Sequence, residues 1–133
     1  MSWIPGFEGA RADAVLGLRP AAAARMRELE AELWEADRLD PAITELVRAR
    51  VGQLLGLPGR SVDAAESRSP REAAAIGFAE QYVMDPHGVT DSQAAELNAL
   101  FTERELTALT FCVAVYDAIG RVETVLGIEW ERA

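Results

Sequence analysis

The side chains best suited to proton transfer in this sequence are Glu45, His87 and Tyr116, which we take as candidate catalytic residues. A carboxylate acts as a base only if burial or a neighbouring charge adjusts its pKa, whereas a histidine titrates near neutral pH unaided. Glu45 has an alternative role as the surface partner of Arg48, three residues further along a predicted helix. His87 is the only histidine and follows Pro86 in a predicted turn, where a capping or turn role is the alternative.

Charged side chains near the end of the chain could instead bind an anion. Asp117 and Arg121 are four residues apart, a spacing that pairs them on one face of a helix. A buried Asp117 would need such a partner, and a subunit contact is also possible at this pair. The alternative is a carboxylate-binding site built around Arg121, with Arg60 joining it from a predicted loop. We therefore take Arg60, Asp117 and Arg121 as candidate ligand-binding residues.

Other kinds of chemistry have no matching pattern in the sequence. It contains no glycine-rich phosphate loop and no histidines and cysteines at metal-ligand spacing, so we predict neither a cofactor nor a metal. The single cysteine, Cys112, cannot form an internal disulfide. Its apolar neighbours favour a place in the core, where a thiol behaves as a small hydrophobic group.

Composition limits the compartment and the partners. The 133 residues are half hydrophobic, which predicts one soluble domain over 1–133. A net charge of −9 argues against nucleic acid and anionic membranes. The lone cysteine and the lack of a signal-peptide pattern lead us to expect a cytoplasmic location. All 13 basic residues are arginine, which together with the many alanines suggests a GC-rich coding sequence and hints at a bacterial source.

The element that must position these residues is a long helix predicted over 102–126. Its stretch 106–119 contains only three polar side chains. A helix that is apolar nearly all round is buried, and this apolar run is too short to span a bilayer. We therefore predict an all-α fold of five to six helices in which this C-terminal helix is buried.

Capping signals predict where the other helices begin. Asp40 and Ser69 each precede a proline, which predicts helices over about 41–55 and 70–85. Thr90 opens a short helix, and Thr102 forms a capping box with Glu105. Another helix is predicted over 20–36, with an apolar face at the positions Met26, Leu29, Leu33 and Ala36.

Residues 1–18 contain no long periodic stretch and predict an extended N-terminal arm. Its apolar side chains, Trp3, Ile4 and Phe7, favour packing against the same domain or a neighbouring subunit.

Three segments resemble the carboxymuconolactone decarboxylase family, specifically its alkyl hydroperoxidase D-like branch. They are LDPAITELVRARVGQLLG at 39–56, FAEQYVMDPHGVTD at 78–91 and LTALTFCVAVYDAIGRVETVLGI at 106–128. The redox motif of that branch is Glu, eleven residues, Cys-x-x-Cys, three residues, His. Glu45 fits its glutamate, whereas Leu57, Arg60 and Ala64 stand at the two cysteine positions and the histidine position.

The resemblance implies the family's helical bundle and a chain that has lost the peroxidatic cysteine pair. The function it implies is small-molecule binding or non-redox acid–base catalysis on a small organic acid or lactone. One alternative is a non-catalytic structural or regulatory homo-oligomer, which the large Leu57 favours because it could fill the pocket. The last alternative is residual alkyl hydroperoxidase activity through Cys112.

The resemblance also implies assembly of the chain with itself, as a dimer, trimer or hexamer. The apolar arm, Trp34 and the apolar C-terminal end agree with such an assembly.

Overall fold

The computed structural model describes residues 4–7, 12–35, 37–63 and 66–132. These residues form six α-helices and one 3₁₀ helix, with no strand among them, which confirms the predicted all-α class. The helices are α1 (Ala12–Leu16), α2 (Pro20–Leu33), α3 (Pro41–Leu54), α4 (Pro70–Met84), the 3₁₀ helix (Pro86–Gly88), α5 (Asp91–Leu100) and α6 (Glu103–Leu126).

The core forms where α3 packs against α4 and α6. Val47, Ala75 and Val113, one from each of these helices, are completely buried. Alanines on α4 let the helices approach closely, because a small side chain keeps the backbones near one another. Within the described ranges, no helix is long and apolar enough to cross a membrane.

The predicted helix starts are present with their capping contacts. The Asp40 carboxylate accepts a hydrogen bond from the Ala42 N–H (2.9 Å), and full capping boxes open α4 at Ser69 and α6 at Thr102. Gly127 ends α6 in the left-handed conformation at φ +65°, where glycine carries no steric penalty.

The helix α6 is central but not covered on every side. Its buried face includes Leu109, Val113 and Ile119, whereas Thr107 and Phe111 lie on an exposed face. The side chain of Phe111 is 56% exposed. The C-terminal helix is thus buried along one side and open along the other.

The N-terminal prediction needs a correction. Residues 12–16 form the short helix α1 rather than an extended arm, with Val15 buried. Five residues are too few to show a periodic apolar pattern, which is why the sequence does not predict this helix. Residues 4–7 form a turn in which the Phe7 N–H donates to the Ile4 carbonyl (3.2 Å). Trp3 lies outside the described residues.

The apolar face predicted for α2 also needs a correction. Leu29 is 41% exposed, whereas the neighbouring Glu30 is buried. The helix is therefore rotated so that Met26, Glu30 and Leu33 face inward together. The predicted end of this helix at Ala36 lies outside the described residues, and the observed helix stops at Leu33.

Candidate functional site

The loop that follows α3 carries Leu57 and Arg60, which stand at the two positions where the resemblance places a cysteine. Gly56 turns the chain at φ +75°, and the Leu57 N–H donates to the Gly52 carbonyl (2.9 Å). A Cβ built on Gly120 would lie 3.3 Å from the Cδ1 of Leu57, so this leucine packs against α6 at a point where α6 has no side chain. Ala64, at the histidine position, lies outside the described residues.

Arg60 crosses α3 and reaches a buried carboxylate on α6. The stem of Arg60 lies over Gly52, where an added Cβ would overlap the Cδ of the arginine. Its guanidinium donates a hydrogen bond to Glu123 Oε1 (3.0 Å). The side chains of Arg60 and Glu123 are only 12% and 3% exposed. Burial raises the pKa of Glu123, and the charge of Arg60 opposes that rise.

A cavity of about 510 Å³ lies between this loop and the C-terminal segment. Three arginines line it, Arg48, Arg60 and Arg132, and so do three glutamates, Glu123, Glu129 and Glu131. Its apolar lining includes Leu57 and Trp130. The cavity therefore has charged groups of both signs beside its apolar surface, and its arginines can recognise a carboxylate only where its own glutamates leave them free.

The three guanidinium groups differ in how far protein carboxylates neutralise them. Arg60 is paired with the buried Glu123, and Arg48 is 3.3 Å from the exposed carboxylate of Glu45. Arg132 lies over the ring of Trp34, 3.9 Å from its centroid, and has no carboxylate partner among the described residues. Arg132 is thus the group most available to a bound anion.

A hydrogen-bonded cluster lies behind the cavity around the buried Glu30. Glu30 Oε1 accepts from Trp130 Nε1 (2.9 Å), and Glu30 Oε2 accepts from the Tyr116 hydroxyl (2.9 Å). The same hydroxyl accepts from Trp34 Nε1 (2.7 Å). Burial raises the pKa of Tyr116, so its hydroxyl stays neutral at physiological pH. The cluster holds Tyr116 in place rather than presenting it to a ligand.

Of the six predicted site residues, only Arg60 lines the cavity. Glu45 is an exposed side chain beside Arg48, and His87 is exposed in the 3₁₀ helix, where its backbone N–H donates to Asp85 Oδ1 (3.2 Å). Asp117 and Arg121 pair with each other at 3.0 Å, and the arginine side chain is 57% exposed. Arg121 therefore does not line the cavity together with Arg60.

Sequence reasoning missed the two buried glutamates. Glu30 lies four residues after Met26 and three before Leu33, which is the spacing of the buried face of α2. Glu123 lies four residues after Ile119, on the buried face of α6. A search for acidic residues on predicted core positions would have found both.

Cys112 is buried in α6. Burial, with a smaller contribution from the charge of Glu45, raises its pKa to about 12. Such a thiol carries almost no thiolate at neutral pH, and the thiolate is the nucleophilic form. Among the described residues, no three histidine, cysteine, aspartate or glutamate side chains come together as metal ligands.

A scan against protein-family models gives no match, and a search of curated proteins gives none either.

Proposed function

We propose that this chain is a carboxymuconolactone decarboxylase-like protein without the peroxidatic cysteine pair, and that it binds a small organic acid. The observation that carries the proposal is the cavity lined by Arg48, Arg60 and Arg132. Leu57 and Arg60, which stand at the two cysteine positions of the related redox motif, both line this cavity. The proposal therefore puts ligand binding in the place where the related enzymes perform redox chemistry.

The arginines and the apolar surface suit a carboxylate ligand, while Glu129 and Glu131 add two carboxylates of the protein to the same cavity. A guanidinium can donate two parallel hydrogen bonds to one carboxylate, and Arg132 has no carboxylate partner within the described chain. The ion pair of Arg48 with Glu45 is partly exposed and contributes little in water, and the Arg48 guanidinium also lies over the ring of Tyr116, 5.9 Å from its centroid. Leu57, Ile128 and Trp130 offer apolar surface to the rest of the ligand.

Binding is better supported than acid–base catalysis. The cavity lining contains none of Glu45, His87 and Tyr116. The hydroxyl of Tyr116 is already hydrogen-bonded on both sides. The burial and raised pKa of Cys112 argue against hydroperoxidase activity. A cytoplasmic location is part of the proposal, because a single buried thiol and no cysteine pair suit a reducing compartment.

The proposal is tested by calorimetric titration with benzoate, hexanoate and succinate, using benzamide as the uncharged counterpart of benzoate. We expect at least one carboxylate to bind and benzamide not to bind. Arg48→Met and Arg132→Met should each weaken binding by about tenfold or more, because each removes a charged donor and keeps the stem.

Arg121→Met is the matched control, because it removes an exposed arginine outside the cavity. Its affinity should stay at the wild-type value. No binding of any carboxylate would refute the proposal, and so would equal affinities for the wild type and both cavity variants.

A second proposal, a homo-oligomer, is favoured by the exposed face of α2 and α6. A groove of about 290 Å³ there is lined mainly by apolar atoms of Leu29, Leu33, Ala108 and Phe111. Leu29 and Phe111 protrude beside the groove that they help to line. A surface that carries both protruding side chains and a groove that can receive them can pair with its own copy about a two-fold axis.

The charges at the edge of this groove fit the same arrangement. Arg104 has no carboxylate partner among the described residues, and Glu32 lies on the same groove in a partly exposed pair with Arg38 (2.7 Å). Trp34 and Trp130, by contrast, make their contacts inside their own chain. The α2–α6 face is therefore the surface we propose for a second copy.

Native mass spectrometry of the wild type and of Phe111→Glu tests the assembly. We expect an oligomer that Phe111→Glu converts to a monomer, because the substitution buries a charge in the contact. Met84→Glu is the control, since Met84 is an exposed apolar side chain that does not line the groove. A wild-type monomer at micromolar concentration, or a Phe111→Glu oligomer, would contradict the proposal.

A further inference from the structure

The C-terminal residues Glu129, Glu131 and Arg132 bring charges of both signs to the arginine-lined cavity. Within the described chain, the carboxylates of Glu129 and Glu131 form no ion pair, and neither does the guanidinium of Arg132. The cavity therefore has one arginine and two glutamates that no described residue neutralises.

The buried charges at the cavity are, by contrast, already paired within the protein. Arg60 donates a hydrogen bond to Glu123 (3.0 Å), and both side chains are largely buried. A simple carboxylate that binds the arginines would approach the two like charges of Glu129 and Glu131, which oppose its binding. A ligand that also carries a cationic group would turn this repulsion into attraction.

The backbone that carries the two glutamates is fixed by Trp130, which lies between them in the sequence. The Trp130 side chain is 4% exposed, and its indole N–H donates to the buried Glu30 (2.9 Å). Its backbone N–H donates to Glu123 (3.1 Å), and the Arg27 guanidinium donates to the Glu131 carbonyl (2.7 Å). A wall that is in place before the ligand arrives lowers the entropy cost of binding.

Arg132 is held by an aromatic ring rather than by a carboxylate. Its guanidinium lies over the ring of Trp34, 3.9 Å from the centroid. A guanidinium stacked on an aromatic face keeps the N–H groups along its edge for hydrogen bonds. Those N–H groups can bind the carboxylate of a ligand while the ring keeps the cation in place.

We propose that the cavity binds an amino acid, a small molecule that carries a carboxylate and an ammonium group together. Arg132 binds the carboxylate, and Glu129 and Glu131 bind the ammonium group. The apolar lining at Leu57 and Ile128 contacts the carbon chain, and about 510 Å³ is large enough for such a molecule. This inference rests on the proposed function, because it names the class of organic acid that the same cavity binds.

Calorimetric titration with four probes of the same chain length tests this class of ligand. Hexanoate carries only the carboxylate, and hexylamine carries only the ammonium group. Norleucine carries both groups at one end of the chain, and 6-aminohexanoate carries them at opposite ends. We expect at least one of these two amino acids to bind about tenfold or more tightly than hexanoate and hexylamine, because an ammonium group donates charged hydrogen bonds to the glutamates.

The same titrations separate this inference from the proposed function. Binding of hexanoate with no advantage for either amino acid would overturn the inference and leave the proposed function intact. If neither hexanoate nor any other carboxylate or amino acid binds, the proposed function fails and the inference fails with it.

The double variant Glu129→Gln/Glu131→Gln tests the two glutamates directly, since it removes both charges and keeps the size of two exposed side chains. We expect the ratio of the affinity for the tighter-binding amino acid to that for hexanoate to fall by about tenfold. The reason is that the amino acid loses its partners, whereas hexanoate loses two repelling charges.

Glu96→Gln/Glu103→Gln is the matched control, because it changes the net charge equally at two exposed glutamates outside the cavity. This control should keep the wild-type ratio. An unchanged ratio in Glu129→Gln/Glu131→Gln, or an equal fall in the control, would contradict the assignment of the ammonium group to Glu129 and Glu131.

Discussion

A methyl group added to Gly52 would occupy the space that the side chain of Arg60 now fills. The added Cβ would overlap the Cδ of Arg60 and lie 3.0 Å and 3.1 Å from its Cβ and Cγ. Because the overlap involves the stem rather than the tip, a small rotation of the guanidinium cannot relieve it. We therefore expect Gly52→Ala to displace Arg60 and break its bond to Glu123.

Two opposing terms decide the effect on stability. Replacing a glycine inside a helix by alanine is favourable by about 1 kcal/mol. Removing one partner from a buried ion pair costs about 3–5 kcal/mol, because the remaining charge stays buried without compensation. Arg60 and Glu123 are only 12% and 3% exposed, so the buried value applies. We expect Gly52→Ala to lower the free energy of unfolding by about 2–4 kcal/mol at neutral pH.

The destabilisation caused by Gly52→Ala should depend on pH. Burial already raises the pKa of Glu123 above its ordinary value of 4.5, and loss of Arg60 would raise it further. A carboxyl whose pKa is higher in the folded state favours folding when it is protonated. The destabilisation by Gly52→Ala should therefore be largest at alkaline pH and shrink as the pH falls toward about 4.5.

Urea unfolding followed by circular dichroism measures these differences. Gly77→Ala is the matched control, because Gly77 also lies inside a helix and a Cβ there would meet no atom within 4 Å. Gly77→Ala should raise the free energy of unfolding by about 1 kcal/mol. When Arg60 has already been replaced by alanine, which removes its Cγ and Cδ and keeps the Cβ at 3.0 Å, Gly52→Ala should cost much less stability than it does in the wild type. If Gly52→Ala in the wild type raised the free energy of unfolding as much as Gly77→Ala does, the displacement of Arg60 would be refuted.

Three further predictions concern single side chains. A hydrogen bond from Arg71 holds the pKa of Glu105 at about 2, below 4.5, so its contribution is present above about pH 4.5 and is lost as the pH falls through about 2. Glu105→Gln should therefore lower the free energy of unfolding by about 1 kcal/mol at pH 7, after discounting for partial exposure, and match the wild type near pH 2 in urea titrations. Native Cys112 should not react with a thiol reagent near pH 8 but should react fully in concentrated guanidinium chloride, as followed by absorbance. Glu30→Gln should cost about 1–3 kcal/mol in urea unfolding, because one amide oxygen cannot accept from both Trp130 and Tyr116.

Each of these predictions has a result that would contradict it. A pH-independent difference for Glu105→Gln would remove the role of its lowered pKa. Rapid labelling of native Cys112 would show that it is accessible. Glu28→Gln, on the exposed side of α2, is the control for Glu30→Gln, and equal effects of the two would argue against the buried cluster.

The helices were predictable because their boundaries are set by local chemistry. Asp40, Ser69 and Thr102 cap the helices that they precede through contacts no more than three residues away. Gly127 ends α6 for an equally local reason, the left-handed conformation. The fold class followed from these signals and from the apolar character of α6, without any knowledge of contacts between helices.

The cavity could not be predicted, because distant segments build it. Whether Arg60 joins Arg121 or pairs with Glu123 depends on how the loop crosses α3, which Gly52 permits and no local pattern reveals. The burial of Glu30 depends on the small rotation of α2 that exposes Leu29. Only the candidate Arg60 lines the cavity, since a long arginine stem can reach a site from a loop.

The hydrogen bonds around Glu30 also bear on how the chain folds. They join residues 100 and 86 positions apart, Trp130 to Glu30 and Tyr116 to Glu30, whereas the helix caps join near neighbours. Contacts between such distant positions carry a large loop-closure entropy and are expected to form after the folding transition state. Substitutions in this cluster should therefore leave the folding rate almost unchanged and accelerate unfolding. The cluster would then set the lifetime of the folded protein rather than the speed at which it forms.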